Sequence, residues 1–181
     1  MTIDCPSDCQ HLIAARRYEI AHRKPPGAED FPFPDVEFPA DLIHRNGQAL
    51  SGIGLAILKF AQENEVLRDP EILSAVGALA ESYRTLESGI YFERPPDAPL
   101  PRALYGQIAQ SLQEFKTQQA EQTGFIKLKD SEIFRLLVFL LRIGRRETNG
   151  RPRSRAFLDF LLAQFPQAPG TEREAPRIIL P

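Results

Sequence analysis

With 181 residues, 43% of them apolar and 25% charged, and a formal net charge of −2, the chain is long enough for one domain with a real core. The near-neutral balance excludes a global electrostatic drive toward nucleic acid or a membrane surface. Two cysteines exclude a disulfide framework, and the opening MTIDCPSDCQ lacks the basic and apolar regions of a secretion signal, so the expected compartment is reducing cytoplasm.

Residues 5–23 are expected to form the first helix, with Cys5 or Ser7 as cap, Pro6 in the first turn, and Leu12, Ile13 and Ile20 on one face. Residues 24–39, KPPGAEDFPFPDVEFP, are excluded from a helix by recurrent proline, which also biases each preceding residue to extended geometry. Phe31, Phe33, Val36 and Phe38 are too apolar to leave in water, so an extended arm lying over the helices is expected.

A second helix is expected over 40–63, where Leu42, Asn46, Ala49, Leu50, Ile53, Ile57 and Phe60 keep helical spacing. Gly47, Gly52 and Gly54 weaken it, and close approach of a neighbouring helix is the expected return. GIGLAI is no nucleotide loop, because no strand precedes it. Asp69-Pro70-Glu71 is a helix start, with Asp69 as acidic cap and Gly89 as the stop. That third helix should bury Ile72, Val76, Leu79, Ala80, Tyr83 and Leu86. After a second proline-rich connection, a fourth helix over about 101–122 carries the narrow stripe Leu104, Ile108, Leu112 and Phe115, and Gly124 ends it.

The stretch Ile133 to Ile143, IFRLLVFLLRI, has nine apolar residues in eleven, and its two exceptions, Arg135 and Arg142, lie seven apart. On a helix they share one side, so the helix is apolar everywhere but along one guanidinium stripe. A membrane span needs about 20 such residues, and this run ends at Arg145 and Arg146. The expected fold is therefore an all-α, single-domain bundle of about six helices around a buried central helix at about 131–147, capped by Asp130, with extended proline- and phenylalanine-rich connections. Pro152 is expected to open the last helix, with Ala156, Phe157, Phe160, Leu161 and Phe165. The domain is placed at 1–166 and a flexible proline-bearing tail, ending in the apolar Ile178-Ile179-Leu180, at 167–181.

Three groups of residues carry candidate chemistry. Cys5 and Cys9, four apart on a helix, share a face and could supply two thiolates to zinc or iron, with His22 or His44 arriving from another turn or helix as a further ligand. Against this, C-x-x-x-C is neither the redox nor the zinc spacing, and two small buried apolar residues are the simpler account; no cofactor is expected. Glu19 with His22, and Asp41 with His44, repeat the acid-x-x-His spacing of di-metal bundles. The inward carboxylates such a site needs are missing from every apolar stripe.

The third group is a basic turn. Arg142, Arg145, Arg146, Arg151, Arg153 and Arg155 fall within fourteen residues, opposed in sequence only by Glu147. Guanidinium forks match phosphate and carboxylate, and they also oppose the negative end of the central helix dipole. Salt bridges to Glu147, Asp159, Glu81 and Glu87 would make the turn structural. Otherwise Arg145, Arg146, Arg151, Arg153 and Arg155 are candidates to hold an anion, a nucleic acid or an acidic protein partner.

No nucleophile elbow or assembled acid–base set points to catalysis. The leading expectation is a non-catalytic protein-interaction module. A nucleic-acid or phosphate binder acting through the Arg142–Arg155 turn, and a small metal or thiol protein using Cys5 and Cys9, are the alternatives. If the cysteines carry no metal, replacing both by Ala costs packing only and leaves melting insensitive to chelator. Stoichiometric zinc or iron in protein prepared without added metal, measured by elemental analysis, contradicts this expectation.

Overall fold

A computed structural model describes residues 9–22, 31–87, 89 and 92–165. Seven helices and no strand occur among them: α1 Gln10–His22, α2 Leu42–Arg45, α3 Gly47–Glu63, α4 Asp69–Glu87, α5 Pro99–Thr123, α6 Asp130–Glu147 and α7 Ala156–Gln164. The all-α single-domain bundle expected from the sequence is the fold observed. α4 lies along both α5 and α6, α5 along α3, and α7 closes the arrangement by touching α3, α4 and α6. Among the described residues, no helix is long and apolar enough to cross a membrane.

The core is where the apolar spacing puts it. Ile72, Val76, Leu79 and Ala80 of α4, and Leu104, Ile108 and Leu112 of α5, are almost fully buried, with Tyr83, Leu86 and Phe115 half-buried at the edges. Ile133, Leu136, Leu137 and Val138 of α6 have no exposed surface. α1 adds nothing to this core among the described residues: Ile13 is at the surface and Tyr18 is exposed. The side chains of Leu12 and Ile20 lie outside the described residues, as do residues 5–8 and 166–181, which include Cys5 and the expected tail.

The non-helical arm expected over 24–39 is described from residue 31, with Phe31, Phe33, Val36 and Phe38 half-buried; it is not extended throughout, because 31–35 bends into a turn in which the Val36 N–H donates to the Phe33 carbonyl at 3.0 Å. It covers the side of α6 that no helix covers. Phe33 meets Phe134 edge-on at 5.5 Å, and Phe38 meets Phe139 edge-on at 5.8 Å. Arg142 holds the arm down. Its guanidinium donates to the carbonyls of Pro32, Phe33 and Val36 and sits 4.8 Å over the Phe38 ring. Arg84 lies over Phe33 at 5.7 Å. Phe33 itself has φ of 55°, left-handed geometry that a side chain of this size adopts only when its surroundings hold it there.

Three further expectations are corrected. The helix expected over 40–63 breaks at Asn46, where φ is −114° and ψ 21°. The Asn46 amide bonds the Leu42 carbonyl at 3.2 Å and Glu132 of α6 at 3.4 Å, competing with the backbone ladder. The break lets Leu42, fully buried, reach the core. Asp130 does not cap α6; it pairs with Lys116 of α5, and Glu132 reaches back to the Lys129 N–H at 3.2 Å. Pro152 lies in a turn, not in α7, because the Ser154 N–H already donates to the Arg151 carbonyl at 3.0 Å and the helix begins only at Ala156.

The glycines of α3 divide. A Cβ on Gly54 would come within 2.8 Å of the Phe165 ring, so the expected close approach is real there, whereas Gly47 and Gly52 face open space. Gly144 of α6 is the tightest of all, 2.6 Å from Leu73 and 2.9 Å from Phe157. Leu137→Ala should therefore cost about 2–5 kcal/mol and Gly144→Ala about 1–3 kcal/mol by overpacking. Gly52→Ala should instead stabilise, by up to about 1 kcal/mol of helix propensity. Urea unfolding of the three variants checks the order.

Candidate functional site

Two surfaces stand out, a basic end and an open helix seam. The basic end is built on a buried carboxylate. Asp69, with no exposed surface, does not cap its own helix; Glu71 does, accepting the Arg68 N–H at 3.2 Å. Asp69 instead accepts the Ser154 hydroxyl and the N–H groups of Phe157 and Leu158, at 3.1 and 3.2 Å. It is an N-cap supplied to α7 from another helix. The Asp69 N–H in turn donates to the Ser154 carbonyl at 2.8 Å. Ser154 also accepts from the N–H of Asn149 and Ala156, at 3.3 and 3.4 Å. The turn between α6 and α7 is thus locked to the head of α4 through one carboxylate and one hydroxyl.

The arginines of this turn are placed differently from one another. Arg142 belongs to the arm, not to the basic turn, and leaves the candidate set. Arg145 and Arg153 are exposed and make no ion pair among the described residues. Arg146 pairs with its neighbour Glu147 at 3.1 Å. Arg151 is exposed, and its N–H donates to the Asn149 side chain at 3.0 Å. Arg155 is half-buried and reaches the Glu65 carbonyl at 3.5 Å. Of the acids expected to neutralise them, Glu147 serves Arg146, Asp159 is half-buried on α7, Glu81 is exposed on α4, and the Glu87 side chain lies outside the described residues. Arg68, which the sequence reading missed, joins this group: it donates to the carbonyls of Glu65 and Leu67 at 2.6 and 2.8 Å. Arg68 stands alone in the sequence between acids, and no local pattern marks it.

The seam between α3 and α5 is the second surface. Gly52, Ala56, Ala103 and Gly106 keep its floor low, and two adjoining hollows of about 660 and 1000 Å³ run along it. Leu55 stands on its edge, 42% exposed. Glu63, Glu114 and Glu121 line it beside one cation, Lys59. Glu114 accepts from Gln110 at 2.8 Å, and none of the three acids makes an ion pair among the described residues.

The metal candidates are only partly placed. Cys9 is half-buried just ahead of α1, its carbonyl taking the Ile13 N–H at 3.0 Å, while Cys5 and the His22 side chain lie outside the described residues. Among the described residues, no three His, Cys, Asp or Glu side chains gather as a metal site. Asp41 and His44 are exposed. Tyr105 is clearly perturbed: burial raises its pKa, the Ser82 hydroxyl at 3.0 Å lowers it in part, and Glu93 raises it. It stays protonated and serves as a buried link between α4 and α5.

No family model, curated protein or solved structure matches the chain. The locked turn yields a direct expectation. Asp69→Ala removes a remote cap and leaves buried donors unpaired, and should cost about 2–3 kcal/mol. Arg153→Gln should change stability by less than about 0.5 kcal/mol, as an exposed site does. Thermal unfolding of both variants tests this division between the carboxylate and the arginines.

Proposed function

We propose that the chain is a non-catalytic helical interaction module, acting in a reducing cytoplasm, that seats an amphipathic helix of a partner protein on the α3–α5 seam. The observation that carries this reading is the seam itself: a long hollow between two helices, floored by glycine and alanine, with Leu55 at its edge. Small residues on both walls let a third helix approach closely, and helix-in-groove docking uses this kind of surface. Glu63, Glu114 and Glu121, opposed only by Lys59, favour a partner helix with Lys or Arg flanking its apolar face.

A labelled amphipathic peptide of about 18 residues, apolar on one face and lysine-rich on the flanks, should bind in a fluorescence anisotropy titration. Its glutamate counterpart should not. Gly52→Phe and Gly106→Phe fill the hollow from positions where added side chains meet open space. They should weaken binding by about tenfold or more, a loss of about 1.4 kcal/mol, with melting unchanged. Undiminished binding of the basic peptide by both variants overturns the seam as the seat.

A further inference from the structure

We propose that Arg68 and Arg155 form a preorganised oxyanion site that takes a phosphate monoester. The pair is made by topology. Arg68 immediately precedes Asp69 and Arg155 immediately follows Ser154, and Asp69 and Ser154 are joined by a backbone bond of 2.8 Å and by the buried carboxylate–hydroxyl contact. The lock that fixes the turn therefore also fixes the origins of these two side chains side by side. Both are half-buried, and Nη1 of each is directed at the same oxygen, the Glu65 carbonyl, at 2.6 Å from Arg68 and 3.5 Å from Arg155. The two nitrogens thus lie within about 6 Å of each other, a range at which like charges repel even in a surface dielectric.

No carboxylate among the described residues makes an ion pair with either arginine. Glu71 accepts the Arg68 N–H, Asp69 accepts from Ser154 and the head of α7, and Glu147 pairs with Arg146. Glu65 offers its carbonyl, while its side chain is exposed and forms no ion pair with either arginine. Among the described residues, Nε and Nη2 of both guanidinium groups meet no acceptor. Two charges, each with an unused pair of donors, are held together at no further ordering cost on binding. Their complement is an anion with more than one charge and oxygens on several sides. A phosphate monoester has both, and arginine forks match it. Arg153, exposed on the same turn, adds to the attracting field.

Titration of the full chain with inorganic phosphate and with phenyl phosphate, followed by NMR at the Arg68 and Arg155 N–H signals, tests the site. Saturable shifts at both residues are expected with either ligand. Arg68→Gln and Arg155→Gln should each weaken binding by about tenfold or more, while Arg145→Gln, which removes the same charge from outside the pair, should change it less than about twofold. Arg68→Lys keeps the charge and the contact to carbonyls but loses the fork, and should also bind more weakly, so a loss on Arg68→Gln is not simply unfolding. An oligonucleotide bearing a terminal phosphate should compete, and the same strand without it should not. Equal losses in Arg145→Gln and the pair variants, equal competition by both strands, or no saturable shift would overturn the proposal.

Discussion

A helix that is apolar on almost every side has to be covered on almost every side, and this requirement of α6 governs the rest of the fold. α4 covers one flank, and α7 and α2 cover others. The remaining side is left to a segment that cannot be helical. The proline-rich arm at 31–39 has backbone carbonyls that no ladder satisfies, and Arg142 supplies donors for three of them at once. An arginine in the middle of an apolar helix would be costly if it found no partners. Here the arm needs donors and the helix needs cover, so each resolves the other's difficulty. The Asn46 break follows from the same demand, since the chain leaving the arm must turn inward at Leu42 before α3 can begin.

The turn that follows α6 obeys a different logic. It carries a dense run of positive charge, yet the group that fixes its shape is a carboxylate. Asp69 meets backbone and hydroxyl donors and accepts nothing from an arginine. The backbone of this loop is held from below by Asp69 and Ser154, while Arg146 pairs with Glu147 and Arg155 turns to the Glu65 carbonyl.

Glycine shows a contrast between inside and outside. Gly54 and Gly144 are small because Phe165, Leu73 and Phe157 occupy the space where a side chain would go. Gly52 and Gly106 are small with nothing opposite, and they give up helix propensity without internal packing to show for it. In the interaction reading, their return comes from outside the chain.

What the sequence by itself determined was what depends on neighbours along the chain. The 3.6-residue spacing of apolar side chains placed α4, α5 and α6 and their buried faces, and Gly89 and Gly124, both at positive φ, end their helices or follow them as expected. Proline density marked 31–39 as non-helical, and its four apolar side chains marked it as covered. Pairings between distant segments were decided by tertiary structure alone. Aspartate before proline carries a local cap signal, and that signal assigned Asp69 to the wrong helix because its true donors lie 85 to 89 residues away. Ser154 had the chemistry of a cap two residues ahead of α7, but Pro152 carried the stronger local signal and drew the boundary forward. Arg142 and Arg155 read alike in the sequence, as members of one basic cluster. In the fold, the last turn of α6 and the loop to α7 lie between them, and one reaches the arm while the other reaches the Glu65 carbonyl. Local periodicity records which side of a helix is buried; it holds no information about which distant carbonyl, carboxylate or charge will be waiting there.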